Sequence, residues 1–398
     1  MLVALLVPAF ANGLSTHQWI TLQAIDEVPA GPLHDLVSRA DLRPYLELGA
    51  LFPDGGYAVG DGYGEMAHWE PFQMRYLQWI RETGAGDEHK AFLLGMCSHG
   101  MADQAFDSMF MERSRVYDAD LGWAEGESMD EATDVALVAA EGPGEVPEVW
   151  FPEVFASLFE EQGHVVTDDT LEQGTTLAGL AIGSVAVWGQ IPDTVAQYDA
   201  LFPWADGHIV DPEVRCSAVC ESKMVARYWE VVWDRLEGGD GWSSPVIATV
   251  PEDGAWAQPI EAGSPESRLS VVFGRGLVSE SVATGLITVA DADGTDVPVG
   301  LSLFYGYASH VVLVAPTNGW EPDTDYVVTV HPGVVTFDGP VMEGEYTFSF
   351  STRPAPVEEV VVDEAKPPVE DAGCGCGTGT SAGWAWLLAL GMAARSRR

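Results

Sequence analysis

One histidine and two aspartates interrupt the apolar stretch AFLLGMCSHGMADQAFDSMFM at 91–111: His99, Asp103 and Asp107. At i, i+4 and i+8 they project from one face of a single predicted helix. A carboxylate buried on such a helix is costly unless it is paired or holds a metal. A histidine and two aspartates in register therefore predict a metal site at a helix–helix interface. Satisfied core polar groups and solvated carboxylates are the plainer alternative. More candidate ligands lie in the same half of the chain. His17 stands in GLSTHQWI, Asp54 in the turn-like LFPDGGY, and His68 in MAHWEPF just before a predicted helix. Asp130 and Asp134 are four apart in DEATD, on a further predicted helix. Histidines and aspartates in this mixture suit a multinuclear site for hard or borderline cations. Metals about 3.5–4 Å apart can activate a water and clamp a phosphoryl group. Trp69 and Phe72, beside His68, would line a cleft or fill the core.

The elements that must position these residues are helices. Helical apolar spacing covers 14–28, 70–81, 91–111, 128–140, 152–161, 171–188 and 223–236. Gly, Pro and Asp mark loops between them, 52–64 included. Beyond residue 245 the apolar residues fall into short β-branched runs at 269–273, 287–290, 310–314, 326–330 and 346–351. Turn signals at Asp293-Gly294 and Asp338-Gly339 separate them, the signature of an all-β sandwich. The expected organisation is multi-domain: an all-α bundle over 12–240, then a β-sandwich over 245–353. An acidic Pro-rich linker follows at 354–373 and a Cys/Gly-rich, then apolar, tail at 374–398.

A length of 398 residues leaves ample core. With 18 Lys+Arg against 61 Asp+Glu, the net charge is −43. Such a surface repels nucleic acid and anionic membranes unless cations intervene. The start, MLVALLVPAFA, reads as a signal peptide over 1–11, leaving Asn12 first after cleavage. Cys97 lies in the apolar helix as inert core, and Cys216 and Cys220 are spaced for a disulfide in an exported protein. The apolar stretch at 384–394 is shorter than the roughly 20 residues a membrane span needs.

GLSTH, FPD, AHW-x-P-F and A-F-L-x-G-x-x-S-H-x-x-A-D, in this order over 13–238, resemble the zinc-dependent phospholipase C family. The likeness is greatest to the N-terminal domain of glycosylphosphatidylinositol-specific phospholipase D. The resemblance implies a helical bundle holding up to three zinc ions in a cleft and hydrolysing phosphodiesters. Relatives of the fold include single-strand nucleases. His17, Asp54, His68, His99 and Asp103 match family zinc ligands as they stand. Asn12 would chelate through its amine and carbonyl once the signal peptide is removed, and Asp54 matches a proposed general base. Two positions depart: Asp107 and Asp130, the latter paired with Asp134, stand where the family has histidine. Added negative charge weakens the acidification of metal-bound water and makes Mn²⁺, Ca²⁺ or Mg²⁺ more competitive.

The sandwich segments PVIATVPEDGA, LSVVFGRGL, GLITVADADG, PDTDYVVTVHPGV and YTFSFST resemble a bacterial Ig-like domain, which implies a spacer or adhesion module without chemistry. CGCGTGTSAGWAWLLALGMAARSRR resembles myxobacterial C-terminal sorting signals, with Cys374 or Cys376 as the processing or attachment site. The expectation is an exported phosphodiesterase, tethered at the cell surface or outer membrane and acting on phospholipid-type substrates. A catalytically degenerate metal-binding surface protein and a nuclease are the alternatives.

Overall fold

The helix expected around His99 forms the axis of the helical domain in the computed structural model. The structure describes residues 12–241, 245–282, 285–339 and 341–354. The expected signal segment 1–11, most of the expected linker, and Cys374 and Cys376 lie outside them. The central helix runs Asp87–Ala105, and every residue from Ala91 to Ala105 is buried. A helix that is apolar all round must be surrounded. Arg43–Val59, Glu70–Thr83 and Ala218–Leu236 pack around it. Asp87 and Glu88 in its first turn complement the positive end of the helix dipole. Its crossing with Arg43–Val59 needs glycine on both sides. A Cβ on Gly95 would collide with the Leu46 carbonyl, and one on Gly49 with that of Phe92. The two backbones therefore touch, and this brings Ala50 to His99.

Three expectations change here. The stretch 91–111 is not one α-helix: after Ala105 comes a π-helical turn, Phe106–Phe110, and then the helix Met111–Tyr117. The stretch 52–64 is not a loop. Asp54 lies inside the helix Arg43–Val59, and Tyr63–His68 is helical too. The glycines that read as turn residues there serve close packing, with Gly55 against Gly174 of the helix Asp168–Trp188. The short helices Pro32–Val37, Pro192–Asp199 and Pro203–His208 had no counterpart in the spacing, because each opens on a proline, which breaks a helix elsewhere but suits its first position.

The second half is a two-sheet sandwich. Its strands are β1 (Val246–Val250), β2 (Leu269–Leu277), β3 (Ile287–Asp291), β4 (Val299–Leu303), β5 (Ser309–Pro316), β6 (Asp325–Val330) and β7 (Tyr346–Ser351). One sheet has the order β1-β2-β5-β4 and the other β3-β6-β7, all antiparallel. Val271, Phe273, Val289, Val312, Val328 and Phe348 fill the space between the sheets. The opposite face of the larger sheet is not left to solvent. Ile247, Val250, Val272, Val311 and Leu313 belong to the core of the helical domain. This is why all nine residues of β2 are buried, not alternate ones. Buried polar bonds lock the seam. Glu70 takes Arg235 Nη1 at 2.7 Å and the Gly276 amide. Gln104 Oε1 accepts from the His310 amide at 2.7 Å and Ser309 Oγ at 3.1 Å. Among the described residues, no single helix is long and apolar enough to cross a membrane.

Candidate metal centre

Four helices deliver five side chains to one buried place. His17 comes from the second turn of Leu14–Glu27, Asp54 from Arg43–Val59, His68 from the end of Tyr63–His68, and His99 and Asp103 from the central helix. The donor atoms of His17, His99 and Asp103 form one group close enough to share an ion, and those of Asp54, His68 and His99 form another. Asp103 links them. Its Oδ1 lies 2.9 Å from His17 Nε2, and its Oδ2 lies 3.3 Å from His99 Nε2 and 3.4 Å from His68 Nε2. Asp54 Oδ1 is 3.5 Å from His68 Nε2 and 3.7 Å from His99 Nε2.

The surroundings orient the rings. His99 Nδ1 is 2.7 Å from the Ala50 carbonyl and His68 Nδ1 is 2.6 Å from that of Gly64. A carbonyl only accepts, so both Nδ1 atoms carry the proton and both Nε2 lone pairs point inward, as metal-ligating histidines are usually held. Those two Nε2 atoms are 2.8 Å apart. Two bare lone pairs at that distance repel, so a positive charge belongs beside them. Without a metal, a proton takes that role. Burial alone would depress the His68 pKa, but Asp54 and Asp103 overcome it and hold it at about 9. Burial and the neighbouring His17 keep His99 below its ordinary value. The Asp54 and Asp103 carboxyls, despite their burial, are held low by the histidines around them. His17 adds a ring stacked 3.7 Å from His99, with neither nitrogen in a hydrogen bond. Convergent imidazole and carboxylate donors of this kind, with His68 giving up its extra proton, fit a dication of borderline hardness.

The remaining candidates are placed differently. Asp107 falls in the π-helical turn and belongs to neither donor group. It is buried, and its Oδ2 accepts a hydrogen bond from Tyr305 of the sandwich. Burial and the charge of Asp103 push its carboxyl well above the usual range. Asp134 accepts from the Ser15 amide at 3.0 Å and the Thr16 amide and hydroxyl at 2.7 Å, so its oxygens cap the helix Leu14–Glu27. Asp130 is buried on the helix Met129–Glu141, outside the two groups. Asn12 donates through Nδ2 to Glu221 Oε2 at 2.6 Å. The disulfide expectation is corrected: Cys216 and Cys220 are free thiols with sulfurs 3.7 Å apart, against the roughly 2.05 Å of a bond. Phe72 is core, whereas Trp69 meets Tyr305 edge to face at 4.8 Å.

Two residues at the site escaped sequence reasoning. Glu221 is fully buried, and burial holds its carboxyl well above its usual range, with Asp103 and Asp107 adding to the shift. Its signal was present: Glu221 continues the buried face Ala218, Val225, Tyr228, Val232 of its helix, where a charge is out of place. Tyr305, in the loop after β4, carried none.

No curated protein matches the chain. Among solved structures, the S-layer protein SbsC shows 11% identity and a TM-score of 0.23, covering 82% of this chain and 47% of that one. The N-terminal part of SbsC gives 9% identity and a TM-score of 0.21, over 81% of this chain and 79% of that one. This chain thus spans just under half the length of the longer SbsC structure, and neither score is high enough to carry an argument. Residues 244–352 match the bacterial Ig-like domain model. The chain is therefore a helical bundle followed by a β-sandwich that is similar to bacterial Ig-like domains.

Proposed function

We propose that the chain is an exported, divalent-metal-dependent phosphodiester hydrolase of the phospholipase C/D type. One observation carries this reading: four buried side chains, His17, His68, His99 and Asp103, and the half-buried Asp54 converge with their donor atoms on one place. Asp54, His68 and His99 would hold one ion and His17 with Asp103 a second, zinc being the first candidate. Asp107 is engaged by Tyr305 and Asp134 by the helix cap, which supports two ions better than three. Bound there, the ions would supply charge for phosphate oxygens and a more acidic water.

The chain's own residues supply the rest. Asp54 is the group of the five with the most exposed side chain, at 19%. It is held as a carboxylate, so it is the group placed to take the proton of an attacking water. The Ala50 and Gly64 carbonyls fix the His99 and His68 tautomers. The chain is strongly acidic, so a positive centre there is what would draw an anionic substrate inward. The same charge disfavours nucleic acid as substrate. Export and surface tethering rest on the 1–11 and 374–398 segments. The test is the purified chain, stripped and reloaded with Zn²⁺, Mn²⁺ or Ca²⁺, on bis-p-nitrophenyl phosphate and on phospholipid vesicles. Turnover that disappears in Asp54→Asn is expected. Stoichiometric metal without turnover on either substrate would replace the enzyme with a binding protein, and faster cleavage of single-stranded DNA would replace the lipase with a nuclease.

A further inference from the structure

The loop between β4 and β5 reaches across the seam to the metal centre, although Ig-like domains serve mainly as spacers. Tyr305 donates its hydroxyl to Asp107, four residues beyond Asp103. Its ring stands edge to face with Trp69, the neighbour of His68. Tyr57 also lies against His68, with ring centroids 5.0 Å apart. Trp69 Nε1 and the Tyr57 hydroxyl both donate to Glu65, at 2.8 Å and 2.6 Å, so these two aromatics are fixed. The charge of Asp103 acts on both the Tyr57 and Tyr305 hydroxyls, which puts the two rings close to the centre. Tyr305 keeps 39% of its surface exposed, so the aromatic wall has an open side.

We propose that Tyr305 of the Ig-like domain is a specificity-determining residue: with Trp69 it forms the wall that packs against the organic group of a phosphodiester held at the metal centre. The inference rests on the hydrolase reading. The Asp107 bond anchors the ring, and the ring does the recognising. It follows that the Ig-like domain belongs to the substrate site and that its removal would take away part of this wall.

The test uses the full chain, reloaded with zinc, as Tyr305→Ala and Tyr305→Phe. An aromatic contact of this kind is worth about three- to tenfold in affinity. Tyr305→Ala should raise KM for bis-p-nitrophenyl phosphate by that factor with kcat within about twofold. Inorganic phosphate, which has no organic group, should bind with unchanged affinity, and zinc content should be unchanged. Tyr305→Phe, which keeps the ring, should show a smaller rise. Equal weakening of the ester and inorganic phosphate, loss of zinc, or no change with either probe would overturn the proposal. If the wild type proves inactive, the hydrolase reading fails on its own. Calorimetric binding of the two probes then decides this inference by the same pattern, and a wild type that binds neither also overturns it.

Discussion

Replacing Asp103 by Asn strikes the carboxylate whose two oxygens face the two halves of the centre. One carboxylate oxygen stands 2.9 Å from His17 and the other 3.3–3.4 Å from His99 and His68. Asn offers one acceptor oxygen in place of two and carries no charge. An ion bound only to the folded state stabilises it by about 4 kcal/mol at a thousandfold excess over Kd, so two contribute about 8 kcal/mol. With about 2.1 cal/mol/K of unfolding entropy per residue, a folded body of this size has about 0.7 kcal/mol/K. Excess zinc should therefore raise the wild-type Tm by about 10 °C. In Asp103→Asn at least one ion should be lost and the rise should fall to about 6 °C or less. Asp107→Asn, changed at a side chain bonded to Tyr305, should keep the wild-type metal content. Calorimetric melting after chelation and after reloading, with metal measured by plasma emission, reads both quantities. An Asp103→Asn protein with wild-type stoichiometry and the full zinc-dependent rise would refute the shared-carboxylate geometry.

Two further outcomes follow from buried carboxylates elsewhere. Asp134→Ala should uncap the helix Leu14–Glu27 and cost about 1–2 kcal/mol in urea melts, with metal content preserved; loss of an ion would make Asp134 a ligand after all. Burial pushes Asp206 up to about 8, with Asp199 and Asp118 adding to the shift. Its folded pKa lies above the unfolded value of about 3.9, so the folded state binds the extra proton between these limits and stability falls as pH rises through that window. Asp206→Asn should remove this dependence and stabilise the protein at pH 8 by about 1–2 kcal/mol after allowance for partial solvation; equal urea midpoints for variant and wild type at pH 8 would sink it.

Much of the bundle and part of the centre were legible, because their signals are local. The 70–81 spacing became Glu70–Thr83, and the β-branched runs became strands in a sandwich. His99 and Asp103, one helical turn apart, do meet. What was illegible depends on partners far away in sequence. Asp107 shares the local pattern, but a π-helical turn and a tyrosine 198 residues away determine its setting. Asp134 looks like a ligand by its i, i+4 spacing, yet it caps a helix more than a hundred residues earlier. Asp54 looked like a turn residue because Pro and Gly nearby are usually punctuation. Here the glycines let a second helix approach instead.

The seam between the domains shows how an acidic chain can hold two bodies together. Both halves carry excess negative charge, and two such surfaces repel when pressed together. With only 18 basic side chains against 61 acidic ones, where the cations stand matters. Arg113 Nε meets Glu266 at 2.5 Å, Arg215 Nη1 the Glu266 carbonyl at 2.9 Å, and Arg268 Nη2 Glu112 at 2.9 Å. Arg235 reaches Glu70 on one side and Asp338 on the other. Each of these arginines bonds across the seam, and Glu70 and Arg113 are buried in making it. Separating the domains would expose the outer face of the larger sheet at about 1.5–3 kcal/mol per fully buried aliphatic side chain. It would also break the hydrogen bond from the Gly276 amide to Glu70, which exists only while the domains are joined. The sandwich is therefore part of the helical domain's stability, and the loop carrying Tyr305 is held where it meets Asp107 by the same contacts.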